Sequence, residues 1–463
     1  MTDPTTLSLL SARQAMALGD FKPSEYLEAH LARIDQLNPT VHAFTEVDHD
    51  RARARARELD GCAGGDWLPP LFGIPFAVKD IIDVQGAVTT CQSRAGFRGP
   101  AARTASVVSN LVDAGGIYVG KTALYEFALG GPSFNEPWPV VRNPWNLAFT
   151  PGSSSSGSGA ALAARMVPLA IGTDTGGSIR SPSTMCGVVG LKPTFGRIAT
   201  DGLFPLAPSM DTVGPMARSV ADVAIAFKMA IGEAAGTAHP TDPDVDGPVL
   251  GRIDHLWRED TEPSHDVVLS IDEAFKELTG QGATLVDRQV PHLNHFNAAG
   301  WTTLYAEAFE VHRDGLVAHP EQFAEPVRDM LLTGAFFTAF DYLNAQRLRH
   351  HLTEAVEQAL DGVDGLVTAV SARPPCRIED PEQMAKLAAA STRVLCNVTG
   401  HPALALPIGF SSAGLPIGIQ IIGRKNQEHA LLEVGRWIED RLEGWDRSAL
   451  PPLLATQERR VSA

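Results

Sequence analysis

Residues 150–194 read TPGSSSSGSGAALAARMVPLAIGTDTGGSIRSPSTMCGVVGLKPT, and the placement of small residues in this stretch decides how the rest of the chain is read. Two turns rich in serine and glycine, Gly152 to Gly159 and Gly172 to Ser178, flank a segment suited to a buried helix and then a buried strand. Glycine in such turns lets backbone N–H groups converge on one point with no Cβ in the way. Ser178 stands in their midst and is the candidate nucleophile, facing N–H groups able to hold an oxyanion. No histidine, the usual base, occurs between His49 and His239. An unusual candidate base is Lys79, in the apolar run LFGIPFAVKDII. The pattern is that of a serine hydrolase without a histidine.

Composition bounds the alternatives. The chain has 463 residues, 44% of them hydrophobic and 20% charged, which is the balance of a soluble globular protein with a large core. Its formal charge of −16 disfavours a nucleic-acid footprint, because phosphate binding needs a basic surface. Arg51, Arg53, Arg55 and Arg57 alternate with alanine and so wrap around a helix as a solvated face. Five cysteines without a C-x-x-C pair argue against a disulfide framework or a zinc site and fit a reducing cytoplasm. Met1 to Asp20 lacks the features of a signal peptide, and no run approaches eighteen apolar residues, so no membrane partner is expected.

The order of segments predicts an α/β fold. Ser24 can cap a helix whose apolar positions Leu27, Leu31, Ile34 and Leu37 recur at helical spacing before Pro39 stops it. From Leu71 to about Asp222 strands and helices alternate: LFGIPFAVKDII as strand, TASVVSNLVDAGG as helix, IYVGKT as strand, AALAARM as helix and VPLAIGTD as strand. HPTD, His239 to Asp242, is the best candidate boundary. After it the chain reads as more helical, until NVTGHPALALPIGF and LPIGIQIIG return to strand and ALLEVGRWIEDRLE closes as an amphipathic helix. The expectation is one domain over 1–463, with N-terminal helices (1–65), a core (66–235), a variable, mostly helical segment (236–395) and C-terminal strands and helix rejoining the core (396–463).

Two further patterns have bland readings. Gly115 to Thr122, GGIYVGKT, matches the phosphate-loop pattern G-x-x-x-x-G-K-[ST], yet a helix precedes it and a strand fills it, the reverse of what phosphate binding requires. His292/His295 and His350/His351 sit among residues that mark them as surface histidines, not metal ligands. Lys79 keeps two readings: a snorkelling surface lysine, or a buried amine whose lowered pKa makes it a base. Asp174 and Arg180 flank the second turn with opposite charges and read as a structural pair that fixes the loop.

PGSSSSGSGAALAA followed by GTDTGGSIRSPSTMCGVVGLKPT resembles the amidase signature family. VKDIID, GKTALYEFALG, RNPWN, SMDTVGPM and NVTGHPALALPIGF…GLPIGIQIIG resemble further family blocks in the same order, covering most of the chain except roughly 235–390. The resemblance implies the amidase signature fold, a central mixed β-sheet covered by helices on both faces with a helical elaboration in the C-terminal half. It also implies a Ser–cis-Ser–Lys triad, with Ser178 as nucleophile and Lys79 as base. The bridging serine, 24 residues before Ser178, falls on Ser154. Four consecutive serines leave Ser153 and Ser155 as alternatives. Backbone amides of Thr175, Gly176, Gly177 and Ser178 would form the oxyanion hole.

The resulting expectation is an amidohydrolase acting on small amides, or on anilides, esters or carbamates (a urethanase), through an acyl-enzyme and with no cofactor or metal. Phe127, Phe336 and Phe337 are the candidate substrate-binding residues, with Trp301, Tyr305 and Phe340 as further aromatic candidates. The expected partners are a small amide-type substrate and no nucleic acid or membrane; a homodimer is compatible. The alternative is the glutaminase subunit of a tRNA-dependent amidotransferase. Against it, Ser181 stands where that branch usually carries glutamine, and DGLFPLAPSMD stands where it usually carries YGLVAFASSLD.

Overall fold

The structure is a computed structural model that describes residues 3–62, 68–95, 99–233, 247–446 and 449–454. Eleven strands form one mixed sheet: β1 (Phe44–Val47), β2 (Pro75–Lys79), β3 (Ile117–Thr122), β4 (Leu169–Asp174), β5 (Val189–Lys192), β6 (Thr212–Ala217), β7 (Val249–Arg252), β8 (Thr284–Asp287), β9 (Gly365–Ala369), β10 (Ala403–Phe410) and β11 (Pro416–Ile422). Their order is β1-β3-β2-β4-β6-β5-β10-β11-β9-β7-β8. β2 runs parallel to both β3 and β4, whereas from β4 to β11 in that order the pairings are antiparallel. β2, β3 and β4 are buried along their whole length, which explains why each is apolar up to the polar residues at its carboxyl end, Lys79, Lys121–Thr122 and Thr173–Asp174. The α/β sheet flanked by helices is the one expected from the sequence.

The helix Pro23–Val41 buries Leu27, Leu31, Ile34 and Leu37 as its periodicity predicts, but two details differ. It starts at Pro23, so Ser24 lies inside it, and its amide is taken by Asp60 Oδ1 at 3.0 Å. Pro39 does not stop it. Buried Val41 holds one more turn against the core, and His42, at φ 58°, closes the helix with its N–H on Asn38 O at 2.8 Å. Arg51, Arg53 and Arg55, on the helix His49–Asp60, pair with Asp48, Glu28 and Glu58 around its exposed side.

The segment read as variable and helical contributes three strands. β7, β8 and β9 are only four or five residues long and stand in the sequence among long helices, such as Leu293–Ala318 and Ala339–Ala359, so their signal is lost in a helical background. β10 pairs with β5 of the first half, whereas NVTG belongs to the end of the helix Val394–Thr399 and not to a strand. The boundary read at His239 to Asp242 lies outside the described residues. Among the described residues no helix is long and apolar enough to cross a membrane.

The helix Ser156–Ala163 is buried on all sides, which its run of small residues permits. Gly157 N–H donates to Ala123 O at 2.9 Å, and a Cβ there would lie 2.3 Å from Ala43 O and 2.4 Å from Ala123 N. Backbone on both sides leaves no room to yield. Gly157→Ala is therefore expected to destabilise the protein by about 2–3 kcal/mol, read as a lower midpoint in urea unfolding, whereas Gly280→Ala, with open space around its Cβ and no positive φ, is expected to leave that midpoint nearly unchanged.

Candidate active site

Lys79 ends β2 and Thr173 and Asp174 end β4, so their side chains meet beyond the carboxyl ends of two parallel strands. That is where open α/β sheets place their reactive groups. Lys79 is wholly buried, and its Nζ donates to Ser154 Oγ at 2.8 Å and to Thr173 Oγ1 at 2.7 Å. Of the two readings of Lys79, the snorkelling one is excluded. Burial pushes its ammonium down to about 7, against the opposing pull of Asp174 and Asp211.

The four serines separate by partner. Ser154 is the one that Lys79 touches, and the Ser153–Ser154 peptide bond is cis. Ser155 Oγ instead donates to Thr173 O at 3.1 Å and accepts from Thr173 N at 3.2 Å, tying the turn to β4. Ser155 N–H also donates to Ser178 O at 3.1 Å, which joins the two glycine-rich turns. Ser156 opens the helix, so the first turn ends sooner than its composition suggests. Ser178 and Gly176 are half-buried within an otherwise buried turn.

The expected oxyanion set needs one correction. Gly177 N–H donates to Asp174 Oδ1 at 2.8 Å and is not free to bind an oxyanion. The amides of Thr175, Gly176 and Ser178 find no acceptor among the described residues. Asp174 and Arg180 form a two-pronged ion pair, Nη2 to Oδ1 at 2.9 Å and Nε to Oδ2 at 3.0 Å, with both side chains fully buried. Burial alone would raise the Asp174 carboxyl, but the Arg180 charge and hydrogen bonds outweigh it and hold it well below the usual carboxylate range. Asp174 also accepts from Ile179 N and Asn397 Nδ2, while Arg180 reaches Gln420 Oε1 at 2.7 Å and Asn397 Oδ1 at 2.8 Å. The pair holds the turn from inside.

Three supporting groups were not read from the sequence. Thr173 is the second partner of Lys79, Asn397 completes the shell of Asp174, and Asp211 accepts from Thr175 Oγ1 at 2.6 Å. Burial pushes Asp211 up to about 6 although Thr175 and the amides of Leu206 and Ala207 donate to it. Thr173 and Asp211 lie within the quoted blocks GTDTGGS and SMDTVGPM, but only folding shows which way they point.

The aromatic candidates for substrate binding are redistributed. Phe127 is buried among Phe204, His312 and Phe323 and belongs to the core. Phe336 is 83% exposed and Phe340 70%, so neither lines an enclosed pocket, and Phe337 is half-buried where the chain enters the helix Ala339–Ala359. Trp301 is the candidate placed at the site: its indole would lie 3.7 Å from a Cβ on Gly176. Lys121 of the phosphate-loop look-alike is sealed inside β3, bonded to Ile82 O and Thr89 Oγ1. His292 pairs with Asp260, and His350 and His351 with Glu354.

The amidase family model matches residues 25–432, and the chain belongs to that family. A glutamyl-tRNA(Gln) amidotransferase subunit from Chloroflexus aurantiacus is 37% identical over 96% of this chain and 98% of its own length. Among solved structures, one described as an amidase superposes with a TM-score of 0.86 at 31% identity, covering 94% of this chain and 100% of the other. The corresponding glutamyl-tRNA(Gln) amidotransferase subunit from Thermotoga maritima superposes with a TM-score of 0.79 at 29% identity, over 97% of this chain and 98% of the other. These relatives overturn the expectation that nucleic acid has no place among the partners. They are named as subunits of an enzyme that acts on a tRNA, and net charge sums over the whole surface, so it does not report on a local contact or on a tRNA held by another subunit.

Removing one partner of the buried ion pair strands the other charge. Arg180→Met is expected to cost about 3–5 kcal/mol and to lower the thermal unfolding midpoint. Adding Asp174→Asn to it should recover part of that loss; a double variant no more stable than Arg180→Met would show that the two charges are not coupled.

Proposed function

We propose that this protein cleaves an amide C–N bond through an acyl-enzyme on Ser178. The observation that carries the reading is the buried, weakly basic Lys79 at 2.8 Å from Ser154 Oγ. Neutral Lys79 takes a proton from Ser154 as Ser154 takes one from Ser178, and Ser178 Oγ bonds to the amide carbon. The amides of Thr175, Gly176 and Ser178 hold the oxyanion, each such donor contributing about 3 kcal/mol. Ser154 then protonates the leaving nitrogen and the C–N bond breaks. Water attacks the ester by the same relay in reverse, freeing the acid and Ser178. Asp174 and Arg180 take no proton; they set the turn. Five cysteines that form no disulfide among the described residues support a cytoplasmic setting for this reaction.

What becomes of the released nitrogen divides two readings. In the first, small amides, anilides, esters or carbamates are hydrolysed outright, which the higher structural likeness to an amidase supports, as do Ser181 and the DGLFPLAPSMD block. In the second, glutamine is the amide and the ammonia goes to a glutamyl-tRNA. The names of the curated relatives favour that reading over the first, at 34–37% identity along nearly the whole chain. Turnover of a panel of synthetic amides and of glutamine, with and without tRNA and the other components of such an amidotransferase, separates them. Hydrolysis confined to glutamine and dependent on those additions selects the second reading.

Both readings share the chemical step, and its tests are common. Ser178→Ala is expected to lower kcat by about 10⁴-fold or more and to abolish labelling by a fluorophosphonate, located by mass spectrometry. Lys79→Arg should be as inactive as Lys79→Ala, because a guanidinium keeps its proton. Since Lys79 acts in its neutral form, kcat/KM should fall by about tenfold per pH unit below about 7. Substituting any single histidine should leave that limb in place.

A further inference from the structure

Of the amides assigned to the oxyanion, that of Thr175 is anchored from two sides. The peptide unit that carries its N–H has its carbonyl, Asp174 O, on Asn397 Nδ2 at 3.0 Å. Its side chain donates from Oγ1 to Asp211 Oδ1 at 2.6 Å. The first bond fixes the plane of the donor, and the second fixes the residue that bears it. The other oxygen of Asp211 accepts from Leu206 N at 2.9 Å and Ala207 N at 3.1 Å, while Met210 N and Asp211 N both donate to Ala207 O. Residues 206–211 therefore close on themselves around a carboxylate that holds Thr175. β6 begins at Thr212, opposite Asp174 of β4, so this loop and the oxyanion turn meet at neighbouring strand ends.

The apex of the loop rests on helices of the segment 236–395. Ser209 N–H donates to Glu307 Oε2 at 2.9 Å, and Ser209 Oγ donates to Glu307 Oε1 at 2.6 Å. Arg349 donates from Nη1 to Ser209 Oγ at 2.9 Å and from Nη2 to Ser209 O at 3.1 Å. Each polar atom of Ser209 is thus engaged. Glu307 lies on the helix Leu293–Ala318 and accepts a further bond from Tyr342 Oη at 2.7 Å, which comes from the helix Ala339–Ala359. A continuous run of hydrogen bonds and short backbone leads from Glu307 through Ser209 and Asp211 to Thr175. It joins a helix that the chemistry above does not use to a donor that it does. Both carboxylates in the run accept from N–H and O–H donors, the stronger, charge-assisted kind of bond.

We propose that Glu307 is a positioning residue for acyl transfer: by fixing Ser209 it holds the 206–211 loop, so that Asp211 keeps the amide of Thr175 aimed at the oxyanion. An oxyanion donor acts over a narrow range of distance, so slack in this run is felt in the rate. The proposal rests on Ser178 as the nucleophile and applies to either fate of the released nitrogen.

A double-substitution cycle tests it, read as the rate of fluorophosphonate labelling at Ser178, because the phosphoryl oxygen of that adduct occupies the oxyanion's place. Thr175→Val removes the hydroxyl and keeps the amide; it is expected to slow labelling by about 10- to 100-fold, less than the loss of a whole donor, whereas Thr175→Ser should stay within about threefold of the wild type. Glu307→Ala is expected to slow labelling about tenfold in the wild-type chain but less than about twofold beside Thr175→Val, because the link through which it acts is already cut. Ser209→Ala, which changes no charge, takes the place of Glu307→Ala if that variant does not fold. A purely structural Glu307 would lower the thermal unfolding midpoint and leave the labelling rate of the folded protein as it was; that result overturns the proposal. So do effects of Glu307→Ala and Thr175→Val that simply multiply. Multiplying effects with the adduct on Ser178 leave the nucleophile standing, whereas an adduct on another serine in the wild type overturns the nucleophile and this proposal together.

Discussion

At the centre of the molecule a carboxylate and a guanidinium, Asp174 and Arg180, face each other with no access to water. Taking two charges out of water is costly, and the pair persists because almost every polar atom on it is used. Asp174 binds the amides of Gly177 and Ile179 and the amide group of Asn397; Arg180 binds Asn397, Gln420 and the carbonyl of Arg393. The turn between β4 and the helix Arg180–Cys186 has no freedom left as a result. Ser178 is presented by that turn, and the amides of Thr175, Gly176 and Ser178 remain over for a ligand. Ion pair and candidate oxyanion hole are two faces of one loop.

A second constraint acts through space. Ser154 reaches Lys79 just before the helix Ser156–Ala163, whose Gly157 meets the backbone of Ala43 and Ala123 at a distance that leaves no room for a side chain. The serine and glycine content of residues 150–178 therefore has two causes. Some of these residues face the reaction, and others let elements approach. Ser155 shows the second kind: its hydroxyl serves the backbone of Thr173 on both sides.

Much of this was legible in sequence because it is local. IYVGKT and VPLAIGTD announce buried strands by apolar runs that end in polar residues, and the turn chemistry of TGGS lies within a few residues. Lys79 stands out because a charge interrupts such a run. What was not legible is what depends on partners distant in the chain. Arg393 reads as an ordinary charged residue until Gly177 is beneath it, more than two hundred residues away in the chain. Phe127, Phe336 and Trp301 are all aromatic candidates in the sequence, yet among these three only Trp301 stands at Gly176. β7, β8 and β9 are too short to outweigh helical neighbours, and Pro39 is carried through a helix by the burial of Val41.

The clamp on the turn that carries Ser178 also orders events in time. Asn397 and Gln420, which brace Arg180, lie 217 and 240 residues after it in the chain. During synthesis the turn is made long before the residues that hold it, and domains settle only once such distant partners are available. A nascent chain that has passed Ser178 therefore carries the candidate nucleophile but not the frame that holds its turn. The brace on Arg180 is complete only when β11 has been made, so a chain that stops short of Gln420 lacks part of the frame that holds this turn.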